Sequence, residues 1–195
     1  MTNDEAQNAK RTLISSSSAF VIRISFVIGH SSFVISLMIR CGIGYDAHRL
    51  VSKRKLILGG VVIPHKRGLD GHSDADVLSH AIADAILGAL GAGDIGKHFP
   101  NTEESIRGIS SIEILRHVAT IAAQKNARVV NVDATVLAEA PKISSHITAM
   151  QEKIADALGV KAKAISVKAT TNEGLGAIGR GEGMSAIAVA SVEVP

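Results

Sequence analysis

A single cysteine, Cys41, is all the thiol chemistry available in 195 residues. It can close no intrachain disulfide and leaves no Cys-based zinc site. Any metal must therefore be held by His and carboxylate groups, and the chain suits a reducing compartment. There is no run of five basic residues, and the formal charge is only +3. A dedicated nucleic-acid surface is thereby disfavoured, while a pI near 9.1 leaves room for an anionic ligand. No window of about 18 residues is apolar enough to span a bilayer, so no membrane partner is expected. With 46% hydrophobic and 20% charged residues, a collagen, a coiled coil and a wholly disordered chain are excluded. What is left is an ordinary globular chain, long enough for about one domain with some residues to spare.

Aromatics are scarce and unevenly placed. Three of the four Phe (Phe20, Phe26, Phe33) fall within residues 1–37, together with eight Ser and one Gly; residues 38–195 hold the other 17 Gly. The early segment repeats itself loosely as FVIRIS, FVIGHSS and FVISL. Arg23 breaks any signal-peptide core, and no small-residue cleavage site follows. The lack of acidic residues from Lys10 to Arg40 is transit-peptide-like but weak as a signal. Residues 1–37 are expected to be a poorly ordered extension, with Met38 as the natural start and residues 38–195 as the domain. A cytoplasmic location is the simplest expectation.

From Met38 onward the periodicities are readable. MIRCGIGYDAH begins as a short strand; KLILGGVVIP reads as a second strand, bulged at its Gly pair and ended by Pro64. HSDADVLSHAIADAILGALG predicts a helix, with Ser73 and Asp74 as N-cap candidates and Gly91 as the stop. SSIEILRHVATIAAQKNA predicts another, opened by a capping box from Ser110 to Glu113. RVVNVDATVL alternates as a half-buried strand with Val130, Val132, Ala134 and Val136 inward. A third helix ends at Gly159, and two strands, AISVKA and MSAIAVASVEV, follow. This order suggests an α+β domain, one sheet with helices packed over one face.

Three constellations have chemical potential. Asp46 and His48, two residues apart in extended chain, point to one side, and His80 supplies a third donor from a separate element. Two imidazoles and a carboxylate suit Zn²⁺ with an open fourth position; the plain alternative is a turn cap and an exposed histidine. His72, Asp76, His80 and Asp84 recur every four residues, which reads equally as a solvated helix face. His72 and Ser73 sit at the helix start, where free N–H groups and the dipole attract phosphate. The loop GDIGKHFPNTE, with Asp94 and Gly96, follows. Last, VKATTNEGLGAIGRGEG contains a literal G-x-G-x-x-G, rejected as a dinucleotide fingerprint because only 16 residues, reading as a strand, remain after Gly179. Thr170 and Thr171 hydroxyls, the Glu173 carboxylate and the Arg180 guanidinium instead fit a phosphate or Mg²⁺–phosphate site. An incidental Gly-rich hairpin is the alternative.

Taken in order, GYDAHRL, LGGVVIPHKRGLDGHSDADVLSHAIADAILGALGAGDIGKHFPNT, NVDATVLAEAPKI and VKATTNEGLGAIGRGEG resemble the 2-C-methyl-D-erythritol 2,4-cyclodiphosphate synthase family of the non-mevalonate isoprenoid pathway. The likeness runs from about Ile39 to Val194, and the form fused to a cytidylyltransferase segment is not expected. The resemblance implies a two-layer α/β sandwich that assembles as a homotrimer with active sites between subunits. It implies a lyase that cyclises 4-diphosphocytidyl-2-C-methyl-D-erythritol 2-phosphate and releases CMP. By the match, Asp46, His48 and His80 hold Zn²⁺, and Glu173 holds Mg²⁺ or Mn²⁺ between the α- and β-phosphates. His72 and Thr171 take the transition-state-stabilising positions, and Ser73 contacts phosphate. Asp94, Gly96, Phe99, Asn101, Thr102 and Glu103 match the methylerythritol pocket. Ala138, Pro141, Lys142 and Ser144 match the cytidine loop, while Thr170, Ala177 and Arg180 continue the late site. Ala177 stands where several relatives carry Phe near the trimer channel, and Asn101 and Glu103 replace a pair of Asp.

Two other classes fit the residues alone. A zinc phosphodiesterase would direct the same triad at water and release a linear product. A nucleotide-binding module would need no zinc.

Overall fold

The computed structural model describes residues 20–28, 31–100 and 108–195, with side chains from Met38. Asn101, Thr102 and Glu103 lie outside the described residues. In chain order the elements are β1 (Phe20–Ile28), β2 (Ser31–Ser52), β3 (Leu56–Leu58), β4 (Val61–Ile63), β5 (Arg67–Leu69), α1 (Val77–Ala89), α2 (Ile95–His98), α3 (Ser111–Gln124), β6 (Arg128–Leu137), α4 (Ile147–Leu158), β7 (Ile165–Thr170), α5 (Gly176–Gly179) and β8 (Gly183–Val194). The main sheet runs β1-β2-β8-β6-β7, with β5 paired to β2. β6 and β7 are parallel and the other pairs antiparallel, so the sheet is mixed, as expected for an α+β domain.

The helices cover one face because β2 and α1 are made to touch. A Cβ on Gly42 would lie 2.0 Å from the Ala85 carbonyl oxygen, and one on Gly44 would lie 2.0 Å from that of Ala81. Two glycines on one strand face thus admit the backbone of an alanine-lined helix directly against the sheet. Beside them Ala186, Ala188 and Ala190 of β8 are fully buried. Leu78, Ile82 and Ile86 of α1 join Leu115, Met150 and Ile154 in the same apolar core.

Several expectations are corrected. The Gly59–Gly60 pair is not a strand bulge but the turn between β3 and β4, where φ of +55° and +71° gives the left-handed geometry a tight hairpin requires. The first strand is much longer than read from Met38: β2 begins at Ser31, and β1 pairs with it from Phe20↔Ile39 to Ile28↔Ser31. FVIRISFVI is rich in the β-branched and aromatic residues that favour strands. In β6 a bulge between Val129 and Asn131 shifts the phase, so Val129 is buried and Val130 exposed, while Val132, Ala134 and Val136 face inward as read. The N-cap of α1 is Asp76, not Ser73 or Asp74. At α3, Ser110 accepts from the Ile112 N–H at 3.3 Å, but Glu113 pairs with Arg116 instead of completing the box.

Candidate functional site

β2 carries Asp46 and His48 on the face beneath α1, and α1 carries His80 one turn past its N-cap. Asp46 Oδ2 lies 2.9 Å from both His48 Nε2 and His80 Nδ1, and the two ring nitrogens are 3.3 Å apart. Three donor atoms therefore converge on one point, and all three residues are half-buried. This is a group able to hold a metal ion. Burial opposes ionisation of Asp46, but the hydrogen bonds from His48 and His80 outweigh it and hold the carboxyl well below its ordinary range. Burial also works against charge on His48, and its bond to Asp46 overcomes this and raises the imidazole above its usual value.

The polar stripe of α1 divides. Asp76 is fully buried rather than solvated: its carboxylate accepts from Gly59 N (2.9 Å), Gly60 N (2.7 Å), Ser79 N (3.1 Å) and Ser79 Oγ (2.8 Å). It is a structural clamp between the β3–β4 turn and the helix. Asp84 accepts from Ile95 N at 2.7 Å and so docks α2 on α1; burial pushes its carboxyl upward, against that bond, with Asp94 and Asp46 adding to the rise. His72 is exposed in the loop before α1, and its carbonyl accepts from Gly108 N at 2.9 Å. Ser73 Oγ lies 3.2 Å from His80 Nε2. Arg54, which the sequence reading passed over, donates to the carbonyls of Gly71 and Ser73 at 2.7 and 2.8 Å and holds that loop.

Asp94 caps α2, accepting from Lys97 N at 2.9 Å, and Gly96 lies within the same turn. Phe99 ends it, partly buried and edge-on to His117 with ring centres 5.1 Å apart.

The remaining predicted residues gather elsewhere. Ala138, Pro141, Lys142 and Ser144 follow β6, with a cis bond at Ala140–Pro141. Thr170, Thr171 and Glu173 follow β7, and the Thr171 hydroxyl donates to the Glu173 carboxylate. Glu139 joins the two loops by accepting from Asn172 N at 2.8 Å and Gly174 N at 3.4 Å. Ala177 lies in α5, and Arg180 beyond it pairs with Glu182 at 2.7 Å. By register, Asp46, Ala186, Val136 and Ala169 form one row across β2, β8, β6 and β7. Three strand spacings, about 14 Å, thus separate the metal-ligand group from the β7 loop within one chain. The structure brings together the first constellation and the helix start, and keeps the late one apart.

Asp74, Ser111, Glu139 and Arg54 were missed as site residues. In the sequence Asp74 reads only as a cap, and nothing local marks a serine at a helix start as the neighbour of a histidine 31 positions earlier.

Comparison with known proteins decides the family. The sequence profile of the YgbB family matches residues 39–193. The chain belongs to the YgbB family. Among YgbB-type relatives, a 2-C-methyl-D-erythritol 2,4-cyclodiphosphate synthase of Geotalea daltonii is 59% identical over 79% of this chain and 90% of its own. The synthase of Syntrophotalea carbinolica is 60% identical over 78% of this chain and 93% of its own. Of solved structures, the bifunctional IspDF from Campylobacter jejuni superposes with a TM-score of 0.79 at 40% identity, covering 82% of this chain and 43% of that longer one. The CDP complex of IspF from Plasmodium falciparum gives 0.70 at 37% identity over 80% of this chain and 96% of its own. No described helix is long and apolar enough to cross a membrane.

Proposed function

We propose that this chain is a 2-C-methyl-D-erythritol 2,4-cyclodiphosphate synthase, converting 4-diphosphocytidyl-2-C-methyl-D-erythritol 2-phosphate to the cyclic diphosphate and CMP. The observation that carries the reading is the convergence of Asp46, His48 and His80 in a YgbB-family chain. The metal we assign there is Zn²⁺. Its bonds to N and O are roughly 2.0–2.1 Å, so tetrahedral ligands stand about 3.3 Å apart, close to the separations of these three donors before a metal spreads them. When bound, the ion supplies a Lewis acid for a β-phosphate oxygen.

The chain's own residues bind and orient. An oxygen of the substrate's 2-phosphate forms a bond to the β-phosphorus as the bond from that phosphorus to the bridging oxygen of CMP breaks, the electron pair leaving with CMP. No protein nucleophile is required, so positioning and charge neutralisation carry the rate. His72 and Ser73 present the start of α1 to the phosphates, and Asp94 and Gly96 face the methylerythritol hydroxyls. Thr171 stabilises the transferring phosphoryl group, and Glu173 holds Mg²⁺ or Mn²⁺ on the diphosphate. The loop of Ala138, Pro141, Lys142 and Ser144 takes the cytidine.

We assign a homotrimer whose active site combines the metal-ligand group of one subunit with the cytidine and Glu173 loops of its neighbour. Two features support this: the 14 Å gap within one chain, about three strand spacings, and the sheet face opposite the helices. There Ile43 and Tyr45 of β2 are 71% and 60% exposed and oppose exposed Val189 and Ile187 of β8. An apolar patch of this kind marks an association surface. Residues 38–195 are the catalytic unit in this reading, close to the span of the family match.

The test is phosphorus NMR of the substrate incubated with the full chain, zinc and magnesium. Cyclic diphosphate and CMP are expected. A linear hydrolysate would make the protein a phosphodiesterase, and unchanged substrate with a zinc-loaded protein would overturn the assignment.

A further inference from the structure

We propose that Asp74 and Ser111 form a one-way hydrogen-bond relay that fixes the tautomer of His80 and so selects Nδ1 as its metal-ligating nitrogen. The two are positioning residues, and the inference rests on the assignment of Asp46, His48 and His80 as ligands.

The two ring nitrogens of His80 face different worlds. Nδ1 lies 2.9 Å from Asp46 Oδ2 and 3.3 Å from His48 Nε2. Nε2 lies 2.9 Å from Ser111 Oγ, with Ser73 Oγ at 3.2 Å. A neutral imidazole has one N–H and one lone pair, so something must decide which nitrogen ligates. Ser111 decides it. Its hydroxyl has one proton, and that proton goes to Asp74 Oδ1, since a carboxylate accepts only. Ser111 Oγ can then offer His80 nothing but a lone pair, and Nε2 must be the N–H. Nδ1, which hydrogen-bonds the Asp46 carboxylate and stands beside His48, is left as the nitrogen that ligates when a metal takes the place of that bond. Ser73 Oγ, which accepts from Ala75 N at 3.1 Å, is a longer second acceptor for the same N–H.

The relay is built rather than incidental. Ser111 is fully buried at the first position of α3, and its backbone N–H, without a partner inside the helix, donates to Asp74 Oδ2 at 3.0 Å. Asp74 in turn is placed by its own N–H to the Ile109 carbonyl at 3.2 Å. Three segments, the loop before α1, the start of α3 and α1 itself, therefore meet on His80. Metal-bound histidines are commonly oriented by a carboxylate or carbonyl on their other nitrogen. Here a serine hydroxyl stands between the ring and the carboxylate and transmits its polarity.

The decisive variant keeps the shape and reverses the direction. In Asp74→Asn the Ser111 backbone N–H retains the amide oxygen, so the NH₂ falls opposite Ser111 Oγ. That hydroxyl then accepts from the amide and donates to Nε2, moving the ring proton to Nδ1. Zinc affinity, measured by chelator competition, is expected to fall about 10- to 100-fold. Nitrogen-15 NMR of histidine-labelled protein should show His80 Nε2 carrying a proton in the parent, with and without zinc, and Nε2 without one in Asp74→Asn. Ser111→Ala should lose less affinity, because the Ser73 hydroxyl is still within reach, and Ser111→Thr should restore most of it. Unchanged affinity and an unchanged Nε2 signal in a folded Asp74→Asn protein would overturn the relay; so would an Nε2 without a proton in the parent, a result that does not depend on the variant folding. A parent that binds no zinc but carries a proton on His80 Nε2 would instead defeat the metal assignment and leave the relay standing.

Discussion

The backbone nitrogen of Gly60 lies 2.7 Å from Asp76 Oδ2, which ties the β3–β4 turn to the first turn of the helix that carries His80. Removing that carboxylate orphans three backbone or hydroxyl donors besides the Gly60 N–H and strips α1 of its cap. Asp76→Ala is expected to destabilise the protein by about 3 kcal/mol, and Asp76→Asn by less, in urea or guanidinium titrations.

The glycines under α1 set a second expectation. At Gly44 a Cβ would meet the Ala81 oxygen at 2.0 Å and the Ala85 nitrogen at 2.7 Å, both backbone atoms that cannot swing aside. Gly44→Ala must push α1 off the sheet, costing on the order of 1–3 kcal/mol or more and weakening metal binding through His80. Gly88→Ala, on the same helix, meets only the Ile43 oxygen at 3.9 Å and should be neutral or stabilising by up to about 1 kcal/mol. Thermal melts of the two variants with and without zinc separate the effects.

Protons and metal compete for the same atoms. In the metal-free protein Asp46 is held below its ordinary 3.8, so its contribution to stability is present above that pH and is lost as pH falls through the lower folded value. His48 is raised above 6.5, so its contribution is full below 6.5 and disappears as pH rises through the raised value. This pair therefore favours the metal-free fold between about pH 4 and 6.5. With zinc the trend reverses above pH 6.5, because deprotonation of His48 frees a ligand. The difference in Tm with and without chelator should widen as pH rises from 6 to 8.

Glu139 links the two loops assigned to the cytidine and the diphosphate. Glu139→Ala is expected to raise KM several-fold, with zinc content unchanged, since it touches none of the three ligands. Steady-state kinetics beside metal analysis checks it.

Among the described residues, Phe20–Ile28 pairs with Ser31–Ile39 of β2, and β8 ends opposite Met38. A chain starting at Met38 keeps every β2–β8 pair and should retain full turnover by the same phosphorus NMR assay.

Much of this was legible in the sequence. The three long helices and the Gly159 stop follow from periodicity, and the shared face of Asp46 and His48 from their two-residue spacing on a strand; that the three residues hold a metal was implied only by the family resemblance. What was not legible depends on partners distant in sequence. Ser73, Asp74 and Asp76 are all good capping types, and only the position of the Gly59–Gly60 turn selects Asp76. The phase of β6 changes at a bulge defined by its pairing with β8, which no alternation within RVVNVDATVL announces. Ser111 looks like a helix-start residue from either side, and its second task exists only because α3 packs beside His80.

The close seating of α1 on Gly42 and Gly44 has a bearing on cofactor supply. The three residues able to hold a metal, at positions 46, 48 and 80, meet only when helix and strand are in backbone contact, so an unfolded chain has no preformed site to compete for an ion. On the zinc assignment proposed above, metal availability becomes a term in the lifetime of the protein itself: a ligand at 100 times its dissociation constant adds about 2.7 kcal/mol to folding. Starvation for the ion would be felt first as lost protein and only afterwards as idle enzyme.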